Sequence, residues 1–276
     1  MDLTNYESID DLDYNQLIGI VKETNRPPGG KNTVFEVINR LHISENAEIL
    51  EVGTSTGFTA IEISRLVKSK ITAIDINEIS LKEAKSRASK EGYTNIKFLK
   101  ADVTDLPFPD GSFNVVIVGN VLSLLSNKDK ALRECVRVCK RDGLIVAVPM
   151  YYLKSPTEKL IKDVSNAIKV KIIPLYKSYW IDFFTKYGLE IYWSKSFKFD
   201  YVKDSTVDTF VKEIINRPHL RSIDKVILAQ LNSKYKKYMF LFRDNLSVMG
   251  YTIFILSKSR IWEDSELYTS EEIRQI

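Results

Sequence analysis

Histidine and cysteine are scarce in this 276-residue chain, with two of each. Two cysteines cannot build a disulfide scaffold or a cysteine-rich zinc module. No group of residues has metal-ligand spacing, so no metal is expected. Long apolar runs are missing too. No stretch approaches 18 uncharged apolar residues, which excludes a membrane span. Neither sign of charge dominates: 40 basic against 36 acidic residues leave +4, too little to imply a dedicated nucleic-acid binder. The start, MDLTNYESIDDLDYNQ, is acidic and polar, unlike a secretory or mitochondrial leader. There are no internal repeats and no low-complexity segments. What is present, 44% hydrophobic and 28% charged residues, is globular composition with enough chain to bury a core. The expectation is a cytoplasmic α/β enzyme.

A breaker cluster, Arg26-Pro27-Pro28-Gly29-Gly30, closes the acidic arm and reads as a shaped loop. Val34, Val37, Ile38 and Leu41 then repeat with helical spacing. From Ala47 strands and helices alternate. Ile49–Val52, Ile71–Ile74, Ile96–Leu99, Phe113–Val118 and Leu144–Val148 read as strands, and the intervening segments as helices. Cys135 and Cys139 are placed one turn apart on the last of these helices, as buried small hydrophobes. Near-continuous apolar strands in such an alternation imply a parallel sheet covered on both faces. Further on, Trp180–Tyr187 reads as a helix, Leu189–Tyr201 as a long strand, 201–249 as helices, and Tyr251–Leu256 as a last strand. The tail after Lys258 reads as polar and peripheral.

Chemistry concentrates at Glu51-Val52-Gly53-Thr54-Ser55-Thr56-Gly57, which follows a strand and opens a helix. Glycines there let the backbone turn tightly and approach a ligand. Asp75 closes the second strand 22 residues after Gly53 and can accept both hydroxyls of a ribose. Asp102 closes the third strand on the same carboxyl edge. A dinucleotide fingerprint would need glycine where Ser55 and Phe58 stand.

The loop instead resembles the acid-x-G-x-G-x-G motif of class I S-adenosylmethionine (SAM) methyltransferases, with Ser55 at the middle glycine. Leu106-Pro107-Phe108-Pro109-Asp110-Gly111-Ser112-Phe113 resembles the stretch before the fourth strand in the small-molecule, UbiE-like members. Ala131–Lys140 followed by Asp142-Gly143 resembles their next helix and turn. The likeness covers Ile49 to Val148 without a gap. It implies a Rossmann-like, mostly parallel seven-stranded sheet with helices on both faces and an antiparallel last strand. The expected layout is an N-terminal arm and helix as lid (1–46), a SAM-binding core (47–200), a helical insertion as cap (201–249), and a last strand with tail (250–276).

By the same resemblance, Glu51, Gly53, Thr54, Ser55 and Gly57 would hold the methionine end of SAM. Asp75 would bind the ribose and Ile76 would lie against the adenine. Asp102 and Val103 would address the adenine edge, and Gly119 and Asn120 would lie near the reacting methyl. The expected reaction is in-line transfer to a nitrogen or oxygen of a small molecule or short peptide, catalysed mainly by positioning and leaving S-adenosylhomocysteine (SAH). Asn120, Tyr14 and Tyr151 are the catalytic candidates. Arg26, Lys31, Tyr151, Tyr152 and His219 are the substrate candidates. An alcohol acceptor would want a positioned base, and neither His42 nor His219 offers an evident one.

Alternative readings remain. The insertion carries nine basic and five acidic residues, so Lys234-Tyr235-Lys236-Lys237-Tyr238 is either a grip on RNA phosphates or a solvated helix face. A non-catalytic SAM-binding partner subunit is the other alternative. Adenine-N6, cytosine-C5 and protein-arginine methylation are argued against, because the residues after the fourth strand lack the motifs that those enzymes carry there. The chain is expected to act off the membrane, as a monomer or homodimer.

Overall fold

Five strands form the spine: β1 (Glu48–Val52), β2 (Lys70–Asp75), β3 (Ile96–Lys100), β4 (Phe113–Gly119) and β5 (Cys139–Ala147). They pair in parallel in the order β3-β2-β1-β4-β5. The computed structural model describes Ile9 and residues 12–258. Much of the acidic N-terminal stretch, and the tail after Lys258, lie outside the described residues.

Successive strand residues point to opposite faces, and both faces are covered. Leu50, Ile74, Val116 and Ile145 meet α5 (Lys128–Val138) and α7 (Lys177–Lys186) on one side. Ile49, Ile71, Val115 and Val146 meet α2 (Lys31–Leu41), α3 (Phe58–Leu66) and α4 (Glu78–Lys90) on the other. Double burial explains why the strands read as continuous apolar runs.

The antiparallel part contains β6 (Met150–Tyr152), β7 (Glu190–Lys198) and β8 (Met249–Ser257). β8 pairs with β5 and then β6 along one edge and with β7 along the other. Among the described residues the sheet therefore has eight strands where seven were expected. The eighth, β6, continues the line of β5 after a break at Val148-Pro149, because proline has no N–H for the ladder. Cys139 also departs from expectation: α5 ends at Val138, and Cys139 is extended and pairs with Phe113 in β5. Both thiols are buried, and burial pushes Cys135 up to about 12 and Cys139 to about 11.

Two helices are not expected from the sequence. They are α1 (Tyr14–Val21), opened by an Asp13–Gln16 capping box, and α6 (Glu158–Ile168), capped by Thr157. Between β7 and β8 stand α8 (Asp204–Ile215) and α9 (Lys225–Leu246). Leu17, Ile20 and Val21 of α1 share a separate hydrophobic cluster with Val211, Ile214 and Leu231 of this insertion. The arm is thus divided. α1 joins the insertion, whereas α2 packs on the sheet as part of the core layer.

Candidate functional site

The chain must turn sharply after β1, and three residues make that turn in left-handed conformations: Gly53 (φ 71°), Ser55 (φ 48°) and Gly57 (φ 85°). Glycine bears this freely, while Ser55 carries a strain of about 1–2 kcal/mol. Hydrogen bonds fix the loop to β2. The amides of Gly53 and Thr54 donate to the Ile74 carbonyl at 2.8 and 2.9 Å. The Ser55 amide donates to Asp75 Oδ2 at 2.8 Å, and the Asn77 amide to Asp75 Oδ1 at 2.9 Å. Asp75 therefore shapes the loop as well as facing the space above it.

That space is a cavity of about 1930 Å³ over the carboxyl ends of the strands. Glu51, Gly53, Thr54, Ser55, Asp75, Ile76, Asp102, Val103, Gly119 and Asn120 all line it. Glu51 is only 5% exposed and accepts from Thr54 Oγ1 at 2.6 Å. Burial pushes its carboxyl up to about 7, against the opposing hydrogen bonds from Thr54 and Thr59. Ile76 is 68% exposed beside Asp75 and offers an apolar shelf to the cavity. Asp102 Oδ1 accepts from the Thr104 amide and hydroxyl at 2.8 and 2.9 Å. Asn120 Oδ1 accepts from the Met150 amide at 2.9 Å, which fixes the side chain between β4 and β6.

The insertion and α1 form the opposite wall, with Val202, Phe210, Met239 and Phe242 from the insertion and Tyr14 from α1. Tyr14 packs at a tilt against Phe242 with ring centroids 4.5 Å apart, and burial raises its phenol far above the ordinary value, so it is a neutral donor. Arg26 also lines the cavity, its guanidinium 5.5 Å from the Phe58 ring centroid. Tyr151 and Tyr152 contribute to the lining but are 3% exposed. Their hydroxyls are engaged, Tyr151 with Thr252 and Tyr152 with Asn245, at 2.8 Å each.

Three expected site residues lie outside the lining. Gly57 instead admits α4: a Cβ there would stand 2.9 Å from Ala84 Cβ and 3.2 Å from its Cα. Lys31 Nζ pairs with Glu62 at 3.4 Å on α3. His219 Nε2 meets the Ile20 carbonyl at 3.1 Å and so fastens the insertion to α1. The basic run of the insertion is also used internally, with Tyr235 fully buried and Lys236 paired to Asp208 at 2.7 Å.

Other contributors are invisible in the sequence. Arg87 of α4 donates to Thr24 Oγ1 (3.0 Å), Thr56 Oγ1 (3.2 Å) and the Lys22 carbonyl (3.2 Å). The Asn25 amide reaches Thr56 Oγ1 at 3.3 Å. Residues 22–25 are thereby laid along the glycine loop, and Glu23 becomes part of the cavity wall. The Asp13-x-x-Gln16 box was a readable sign of α1, but nothing local marks where Glu23 ends up.

A family model described as a methyltransferase domain matches residues 43–201. A ubiquinone/menaquinone biosynthesis C-methyltransferase, UbiE, of Pseudomonas entomophila is 34% identical over 130 residues. That match covers 46% of this chain and 50% of the relative, so the chain spans about half the relative's length. The crystal structure of the MccD protein superposes with a TM-score of 0.71 at 25% identity, covering 85% of this chain and 100% of that one. A SAM-dependent methyltransferase from Geobacter sulfurreducens, solved with S-adenosylhomocysteine, has the same fold. Its TM-score is 0.62 at 17% identity, with 89% and 98% of the two chains covered.

Proposed function

The chain belongs to the methyltransferase-domain family and is a SAM-dependent methyltransferase, and from that premise we propose that its acceptor is a small molecule with a largely apolar body, enclosed between the strand tips and the insertion. The observation that carries this reading is the size of the cavity. Pockets for drug-sized ligands run to roughly 1,000 Å³, and about 1930 Å³ leaves room for a nucleoside cofactor and a second molecule together. Ile168, Ile173, Val202, Phe210, Met239 and Leu246 line the part formed by α6, α8, α9 and their connections. UbiE, by its name, methylates carbon in quinone biosynthesis. We therefore widen the acceptor atom from nitrogen or oxygen to include carbon.

The residues suit the cofactor. The glycine loop has no room for a Cβ at Gly53, and its backbone forms a cradle beside Glu51. Glu51 and the loop would hold the amino-acid end, Asp75 the ribose hydroxyls, and Ile76, Asp102 and Val103 the adenine. Bound there, SAM supplies a methyl group already activated on a sulfonium. The protein then has to orient the acceptor and exclude water, and positioning of this kind supplies most of the rate. Asn120, fixed by Met150, holds the wall nearest the end of β4. Tyr14 offers a neutral phenol from the opposite side. We assign α1 and the insertion as the cap over this chamber and leave α2 with the core.

Calorimetry with SAH and transfer of tritiated methyl from SAM into a metabolite extract test the reading. Label is expected in the small-molecule fraction, and label confined to RNA would replace this acceptor class by nucleic acid. Asp75→Ala removes the acceptor for two backbone amides as well as the proposed ribose contact. Charge-assisted hydrogen bonds are worth about 1.5–3 kcal/mol. SAH affinity should therefore fall about 10- to 100-fold while the protein remains folded.

A further inference from the structure

Glu23 stands where a carboxylate is costly. It follows the C-terminus of α1, whose dipole disfavours negative charge, and it is largely buried beneath α9. The Tyr235 hydroxyl donates to its Oε2 at 2.6 Å. Arg217 and Arg26 act on it coulombically, while Arg217 Nη1 itself bonds the Val21 and Lys22 carbonyls. Tyr14, on α1, also feels its charge. Burial outweighs the tyrosine and the two arginines, so the carboxyl holds its proton above the usual range. The Arg87–Thr24–Thr56 latch meanwhile keeps the segment against the glycine loop, and Glu23 lines the same cavity as Glu51, Asp75 and Asn120.

We propose that Glu23 is the general base that takes the acceptor's proton, and that the acceptor is therefore a hydroxyl or an activated carbon acid. This rests on the methyltransferase reading of the cavity. In the step, a lone pair or carbanion-like pair of the acceptor forms the new bond to the methyl carbon. The carbon–sulfur bond breaks with its pair left on sulfur, and the acceptor's proton passes to the Glu23 carboxylate and then to solvent. A cavity-facing carboxylate whose proton affinity is raised above the usual range is well matched to this task. The buried phenol of Tyr235 fixes the carboxylate without itself ionising.

The test compares wild type, Glu23→Gln and Tyr235→Phe, using tritiated-methyl SAM with the metabolite extract and calorimetry with SAH. Glu23→Gln keeps a partner for Tyr235. It should bind SAH as wild type does yet lose about 100-fold or more in methyl transfer. Its residual rate should lack the rise with pH that ionisation of Glu23 gives wild type. Tyr235→Phe removes a bond that favours the charged form, so the same rise should move to higher pH, which a purely structural role would not produce. Transfer by Glu23→Gln within a few-fold of wild type, or an unchanged pH limb, overturns the proposal. If no extract yields label, the carboxyl is followed directly by 13C NMR in glutamate-labelled protein saturated with SAH. A Glu23 signal that titrates in the ordinary range overturns it. Loss of SAH binding by wild type would instead bring down the methyltransferase reading.

Discussion

Replacing Glu51 by glutamine should stabilise the free protein above neutral pH and weaken its hold on SAH. Glu51 is buried and keeps its proton up to about pH 7, whereas the unfolded chain releases it near 4.5. Across that window the folded state binds more protons than the unfolded one, so stability falls as pH rises from about 4.5 to 7 and is level beyond. The interval corresponds to about 3 kcal/mol at 1.36 kcal/mol per pH unit. Glutamine can still accept from Thr54 and carries no charge to desolvate. Its gain at pH 8 should approach that figure, less any weakening of the Thr54 bond. Thermal unfolding at pH 5 and pH 8 measures this, with a falling midpoint expected for wild type relative to the variant. An ammonium group bound beside Glu51 would favour its charged form. SAH should therefore bind up to about tenfold more tightly per pH unit between 5 and 7, with proton release detectable in buffers of different ionisation enthalpy. The variant should bind weakly, with no proton release. Equal pH slopes for the two proteins would remove Glu51 from the cofactor site.

The parallel core was legible because burying both faces of Ile49–Val52 or Phe113–Val118 demands uninterrupted apolar residues. The turn after β1 and the place of Asp75 at the end of β2 were legible because glycines at a tight turn and a strand-end carboxylate leave local marks, whereas the bond from the Ser55 amide to Asp75 was not. Function-like residues off that edge were harder to place. Lys31 and His219 have the chemistry of substrate ligands, yet one pairs with Glu62 and the other holds the end of α1. Cys139 has helical spacing from Cys135, but β5 pairing with Phe113 claims it first. Glu23 illustrates the limit most clearly. Its partner Tyr235 lies 212 residues away, and only the docking of α1 on α9 brings the two together. No window of sequence contains that contact.

Gly53 and Gly57 look equivalent in the motif, and exchanging each for alanine should separate them. At Gly53 a Cβ would overlap Val121 Cγ2, and the left-handed backbone adds about 1–2 kcal/mol of strain. Val121 begins the short turn after Asn120, so the displaced side chain pushes on the opposite wall of the cofactor cradle. Gly53→Ala should therefore lose SAH binding by about 100-fold or more, the loss of roughly two charge-assisted contacts. At Gly57 the obstacle is α4 itself, with Ala84 Cα at 3.2 Å from the new Cβ. Backbone yields less readily than a valine methyl, and overpacking of this kind costs about 1–3 kcal/mol before the strain is added. Gly57→Ala should unfold at distinctly lower temperature, yet the protein that remains folded should bind SAH within about tenfold of wild type, because position 57 does not line the cavity. Calorimetry and thermal unfolding on both variants decide the matter. If Gly53→Ala binds SAH normally, the loop after β1 does not face the cofactor, and the roles assigned from it to Glu51 and Asp75 fall together.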